Sequence, residues 1–542
     1  MRIRINFLIF SPYIIFFTLT VALNAQIVHD PNDALYKDID KWSVTGYITR
    51  PLPLVRPYPS QLLDVFLDEV LENGNLEARE KAAKYKAAIS PNARFFHAGL
   101  TVGVDGEDGT SSIRLAPFAD GTIRIRDWIS ASYALFGWAS TEAPGEEFNV
   151  PGTWSPFPDF IPDDANIGDF KLYQNWTSMT AIGKSDFYLQ AGISRSSVGP
   201  FYENGVIVGP QAGRASHISV NFSEQKWSFE ALFMGLTASD DFGEGTFTEK
   251  YLIFHAFNFY PWQNFEFGFQ ESVGWGGRFE PLYLIPFTWL FSAQSLGDFS
   301  DNSFMGFHIR WDLPYNVRLL GQLYIDDFQF NDFIRFKWNT KYKFAGEVGI
   351  IWTRGSGVFS SLAADYTMVF PYMYSHWNDP KQPANGSYVH RKPNYIVYSH
   401  RGRNLGTDLD PNSHRFSVRT SWRTLPDLNI TASLYFTQHG NASENVDADN
   451  HDKSDERHDG TIWDDGDTKD GNNYKVIRFL TQNVIDTRVA AGIGIHWDLP
   501  FFSFGVFSMN MEYVFEYGWN RDLIKGDDGF TNYWSASGSW RF

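Results

Sequence analysis

Carboxylates are plentiful in this chain of 542 residues, 63 against 45 lysines and arginines, yet few stand at spacings that chemistry requires. Asp326-Asp327 is the barest pair. Neighbouring positions of a strand point to opposite faces, so that spacing does not build a paired acid and base. The sequence has no Gly-x-Ser-x-Gly elbow, no His-Glu-x-x-His and no phosphate loop. It has no cysteine, which removes thiolate nucleophiles, disulfides and Cys-ligated metals. The densest acidic stretch, 444–470, includes Glu444, Asp447, Asp449, Asp452 and Asp455, with Trp463 further along. Its oxygens would suit calcium, but in a frame starting at Asp447 the fifth position is His451, which does not fit an EF-hand loop. The stretch reads as a solvated surface loop. No catalytic residue, metal or cofactor is assigned, and no enzyme activity is expected.

Recognition chemistry has more to work with. Aromatics, amides and imidazoles cluster at Trp154 and Phe157, at Tyr372, Tyr374, His376, Trp377 and Asn378, and at Tyr388, His390 and Tyr395. Aromatic faces stack on the apolar faces of sugar rings while polar neighbours bond the hydroxyls. Trp154, Tyr372, Tyr374, His376, Trp377, Tyr388 and Trp463 are therefore the candidate polysaccharide contacts. The competing role for any one of them is an aromatic girdle at a membrane interface, which needs no ligand.

What would carry these residues is a series of strands. After Arg94 the apolar pattern has period two. The chain ends with Trp534, Ala536, Gly538, Trp540 and Phe542 on one face and Ser535, Ser537, Ser539 and Arg541 on the other. Phe307, Ile309 and Trp311 oppose His308 and Arg310; Phe265, Phe267 and Phe269 oppose Glu266 and Gln270. Trp227, Phe229, Ala231 and Phe233 oppose Ser228 and Glu230. Each run is about ten residues, the length a tilted strand needs to cross the hydrocarbon layer. An apolar exterior around a polar interior suits a wall between lipid and a lumen. Aromatics are 17% of the chain while mean hydropathy is −0.30, as expected when only alternate residues face lipid. The fold class is thus an all-β transmembrane barrel of about 18 antiparallel strands, the even number nearest the count of runs. Trp311-Asp312-Leu313-Pro314 and Trp497-Asp498-Leu499-Pro500 look like equivalent turns on one rim, which requires a further strand within 380–411. Long connections at 141–168, 370–411 and 439–475 would lie on the other rim, outside the cell.

The start of the chain follows other rules. Arg2 and Arg4, an apolar run from Phe7 to Leu23 and Ala25-Gln26 read as a signal peptide over 1–25. Residues 26–92 have helical spacing: Leu35, Ile39 and Trp42 share a face, Ser60 can cap a second helix, and a third runs from Leu76 to about Ile89. They make a small N-terminal α-helical bundle at the periplasmic mouth of a barrel spanning 93–542. No later apolar run reaches the roughly 18 residues of a spanning helix. The formal charge is −18, and loss of Arg2 and Arg4 takes it to −20, which excludes nucleic acid as a partner. Outer-membrane lipid and a surface polysaccharide are the expected partners, and a monomer the expected state.

A series of short blocks runs along the chain, including Asp38-Ile39-Asp40-Lys41-Trp42, Arg195-Ser196-Ser197-Val198-Gly199-Pro200 and Tyr283-Leu284-Ile285-Pro286. It continues with Asp301-Asn302, Tyr324-Ile325-Asp326-Asp327 and Pro371-Tyr372-Met373-Tyr374-Ser375-His376. The order of these blocks resembles the Wzi family of outer-membrane capsule assembly proteins. Phe201 departs from the pattern, which has glycine there, and 439–475 looks like an insertion. The resemblance implies a barrel in the bacterial outer membrane, closed at its inner end, that acts as a lectin for capsular polysaccharide and performs no reaction. It also marks Gly199, Pro200, Asp301, Asn302, Asp326 and Asp327 as family positions, read here as lumen hydrogen bonding and structure. The alternative function is a porin-like channel for small solutes or oligosaccharides.

Overall fold

The computed structural model describes residues 30–89, 96–141, 161–201, 205–238, 250–299, 301–328, 331, 334–335, 342–355, 357–376, 395–425, 427–444, 460–463, 479–502 and 505–542. Eighteen antiparallel strands follow one another around a closed barrel. Closure is made by the first strand, His97–Glu107, against the last, Gly529–Arg541, with Gly99 opposite Arg541 and Glu107 opposite Tyr533. A short segment, Ile161–Ile167, also pairs with the strand Phe170–Gly183. A closed sheet leaves no unpaired edge, the condition for a strand structure in hydrocarbon.

Alternation places the side chains as their types require. Trp534, Trp540 and Phe542 are exposed on the outside, while Tyr533 and Thr531 are buried within. Ile309 and Trp311 face out between the buried His308 and Arg310. The strands Phe359–Val369 and Ser413–Leu425 pair directly, from Val369 opposite Ser413 to Phe359 opposite Trp422. The extra strand expected within 380–411 is therefore not part of the wall. Among the described residues there, only Ser399–His400 and Arg403–Asn404 pair, as a two-residue ladder. Both turns that motivated it, after Leu313 and near Leu499, already share the rim of short turns.

The helices α1 (Ala34–Val44), α2 (Ser60–Asn73) and α3 (Leu76–Ile89) form where the periodicity places them. Leu35, Ile39, Leu63, Phe66, Leu67 and Val70 make their common core, all essentially inaccessible. Asp33, not an expected residue, caps α1 by accepting from the Leu35 N–H at 2.7 Å. Ser60 does not cap α2: the cap position is Pro59, and Ser60 is the first helical residue. These helices pack at the short-turn rim. Arg124 reaches Asp64 at 3.1 Å, Ser130 donates to Gln61 at 2.8 Å, and Lys84 reaches Asp427 at 3.1 Å.

Candidate functional site: the filled lumen and its long-loop face

The interior between the two rims is occupied. The segment after α1 enters from the short-turn rim, and Val55–Arg56 pairs in antiparallel fashion with Ser197–Val198, from a segment that turns in from the long-loop rim. Around this ladder, Leu54, Val206, Ile207, Val208, Met373, Tyr374, Val397, Tyr398, Leu405 and Ile462 form one buried apolar cluster. The wall contributes the inward residues Leu232, Met234, Leu252, Phe254, Phe304 and Tyr324. Described parts of three long connections and the N-terminal segment thus meet inside the barrel.

Polar side chains of the wall saturate the backbone of these inserted segments, as buried N–H and C=O groups require. The Glu230 carboxylate accepts from Leu54 N–H at 3.0 Å and Val55 N–H at 2.9 Å. Lys250 donates to Val397 O at 2.6 Å and to Ser399 at 3.0 Å. Asn302 donates to Ile396 O at 2.8 Å, and Gln190 to Pro57 O at 2.9 Å. Arg415 forms an ion pair with Asp408. Arg318, held by Asp312, donates to Ser43 of α1 at 2.9 Å.

The two carboxylates that strand geometry would separate are brought together. A β-bulge between Ile325 and Asp327 inserts one residue, so that Asp327 lies opposite Lys343 and turns inward beside Asp326. The alternation rule used for Asp326-Asp327 thus fails at this spot. Asp326, Asp327 and His376 present ligand atoms within 4.8 Å of one another, the group among the described residues that could hold a metal ion. His376 Nε2 lies 2.8 Å from Asp326, whose side chain is 1% exposed. Lys343 Nζ lies 3.4 Å from Asp327 and donates to Ser375 O at 2.8 Å. An imidazole and an ammonium already face the carboxylates. The cluster pins the segment 370–376 to the wall.

The candidate sugar contacts separate into groups. Tyr372 and Tyr374 are buried in the interior: the Tyr372 hydroxyl meets Ser443 at 3.1 Å and the Tyr374 hydroxyl donates to Val206 O at 2.6 Å. His376 is in the cluster above. Trp463 is half-buried against the interior apolar cluster. Trp154, Trp377 and Tyr388 lie outside the described residues, as does most of 444–470.

The family positions make the following contacts. Gly199 has φ 136°, a conformation that residues with a side chain rarely adopt, and a Cβ there would sit 3.1 Å from the Gln322 amide, which would have to give by a few tenths of an ångström. Pro200 follows it, partly buried, and Phe201 fills space beside Val44, Leu320 and Ile351. Asp301, expected to bond within the lumen, instead accepts from Tyr283 at 2.6 Å and from Arg278, in the connection that packs on the outer face of the wall. A concavity of about 670 Å³ opens at the short-turn rim between Arg50, Phe66, Asp186, Lys226 and Trp262.

Sequence alternation placed Glu230 inside but did not show that it, Lys250, Asn302 and Arg415 grip inserted segments. A signal was present: Ala231-Leu232-Phe233-Met234 and Leu252-Ile253-Phe254 lose the polar inward positions, as strands buried on both faces do.

The sequence matches no family model and no curated protein. Among solved structures the chain is similar to Wzi of Escherichia coli, an outer membrane protein involved in group 1 capsule assembly and a carbohydrate-binding β-barrel. The TM-score is 0.56 at 16% identity, over 94% of this chain and 98% of that one. OprD of Pseudomonas aeruginosa aligns with a TM-score of 0.39 at 10% identity, over 82% of this chain and 94% of that one. OccK10 of the same organism aligns with 0.41 at 7%, over 82% and 98%. The likeness to Wzi shows a shared fold, a β-barrel of the outer-membrane kind.

Proposed function

We propose that this chain is an outer-membrane barrel that retains capsular or other surface polysaccharide at the cell surface without performing a reaction. In this reading the helices lie in the periplasm and the long loops face outward. The observation that carries it is the filled interior, in which inserted segments are bonded to the wall by Glu230, Lys250, Asn302 and Arg415. A channel for solutes needs a continuous water path, which that apolar cluster opposes. The ligand class is supported by the architecture shared with a carbohydrate-binding barrel and by the aromatic content of the long loops. Trp154, Trp377 and Tyr388, with His376 and Trp463, are the proposed contacts.

Two measurements test it together. Purified barrel in a planar bilayer is expected to give no steady conductance; a large, stable one would favour the channel. Deleting the gene is expected to release surface glycan into the medium. Unchanged glycan retention would overturn the attachment role whatever the conductance.

A further inference from the structure

Between the strands Phe265–Gly276 and Asn302–Leu313 the chain does not stay at the long-loop rim. It forms a short 3-10 turn, Pro281–Leu284, and a helix, α4 (Leu290–Gly297), that pack on the outside of the wall. Phe287 stacks on outward-facing Phe229 at 4.3 Å, and Tyr283 meets Trp275 edge-on at 4.9 Å. Leu290 and Ala293 are buried with Ile253 and Val273 of the same outer face. Phe257, which also touches Phe287, lies mid-strand in Lys250–Trp262, so the hairpin descends to about half the height of the wall.

Three independent features say what surrounds it. Its far side presents Phe279, Ile285, Trp289, Phe291 and Leu296, each more than half exposed. That surface continues the exposed outer residues of the neighbouring strands, Phe259, Phe267 and Ile309. Residues 281–297 contain no Asp, Glu, Lys or Arg, and the charges Arg278, Glu280, Asp298 and Asp301 stand only at its two ends. Two groups of the irregular backbone between the turn and α4 meet outward-facing polar residues of the wall. Glu271 accepts from the Leu290 N–H at 3.0 Å, and His255 Nδ1 lies 3.3 Å from Thr288 O. A polar pair on a lipid-facing surface, covered by the segment whose backbone it completes, is the arrangement that non-helical backbone at membrane depth requires.

We infer that residues 278–299 form a hairpin immersed in the bilayer outside the barrel, whose exposed side is a contact surface for lipid acyl chains. The inference rests on the membrane reading above. It gives His255 and Glu271 a role in holding the hairpin against the wall.

The absence of cysteine makes the test direct. Phe291→Cys and Leu296→Cys are each labelled with a nitroxide in the full chain reconstituted in phospholipid vesicles. Ile493→Cys on the far outer wall and Tyr315→Cys in a short turn serve as lipid and water references, both well exposed. Collisions with oxygen, which concentrates in lipid, are compared with those of a water-soluble nickel chelate. The oxygen-to-chelate ratio at 291 and 296 is expected to match that at 493 and to exceed that at 315 severalfold. A ratio matching 315 would overturn the inference while leaving the barrel's membrane placement intact. Low collision rates with both reagents, with dipolar broadening between labels, would overturn it in favour of a second copy of the chain. A water-like ratio at 493 itself would remove the membrane reading and this inference with it.

Discussion

Glu230 carries more of the interior than its single position in the alternation suggests. It is inaccessible, and besides Leu54 and Val55 it accepts from the Asn258 amide at 2.9 Å. Glu230→Ala leaves two buried N–H groups without an acceptor, at about 1–3 kcal/mol each. The expected result is faster amide exchange at Leu54 and Val55, with the wall strands unchanged. Equal protection in the variant would mean the inserted segment is held by packing alone. The sequence placed Glu230 correctly inside but could not say what it bonds, since its partners are backbone groups some 175 residues away in the chain. Asp326 and Asp327 mark the opposite case. One extra residue in a strand leaves no trace in apolar spacing, yet it turns a carboxylate from one face to the other. Outward-facing His255 and Glu271 break the alternation openly in the sequence, and only the hairpin over them explains why.

At the scale of elements, α1 docks on the wall through Lys41, whose ammonium approaches Ser421 at 3.2 Å and Ser360 at 3.4 Å. Burial pushes this lysine down from 10.5 to about 8, against the pull of Asp38 and with the help of Lys81, Arg423 and Lys37. The folded value is the lower, so across the window from about 8 to 10.5 the unfolded state holds more protons. Docking of α1 should therefore strengthen as pH rises through that window. Protease protection of α1 is expected to increase from the bottom of the window to the top, and Lys41→Met should flatten the dependence. Constant protection in the parent chain would count against a buried ammonium here. The helices themselves were legible, α3 with both boundaries, because a 3.6-residue stripe and a following proline are local signals. The strands were legible for the same reason. The inserted segments were not: a two-residue ladder such as Val55–Arg56 with Ser197–Val198 depends on pairing at long range and has no periodicity to read.

For the molecule as a whole, the question is what keeps an 18-strand wall from enclosing an open lumen. A barrel of this size is wide enough for a water channel unless its loops fill it. Here the filling is tied to the wall at points far apart around the circumference, from Gln190 to Arg415. Arg415 is the best place to test whether these ties act together. It is fully buried in the strand Ser413–Leu425 and holds Asp408 on an inserted segment, one nitrogen at 2.9 Å. Removing one partner of a buried pair is destabilising by about 3–5 kcal/mol, because the other charge is left without compensation. Arg415→Ala should then let the segment around Asp408 leave the interior for part of the time, seen as brief current steps in a planar bilayer where the parent chain is expected to be silent. Combining it with Asp408→Ala removes both charges, so the paired variant should open less than the sum of the two single ones. If Arg415→Ala stays silent, the apolar cluster of Leu54, Val206, Met373 and Tyr374 closes the barrel by itself. The ion pair then fixes the position of the segment without contributing to closure.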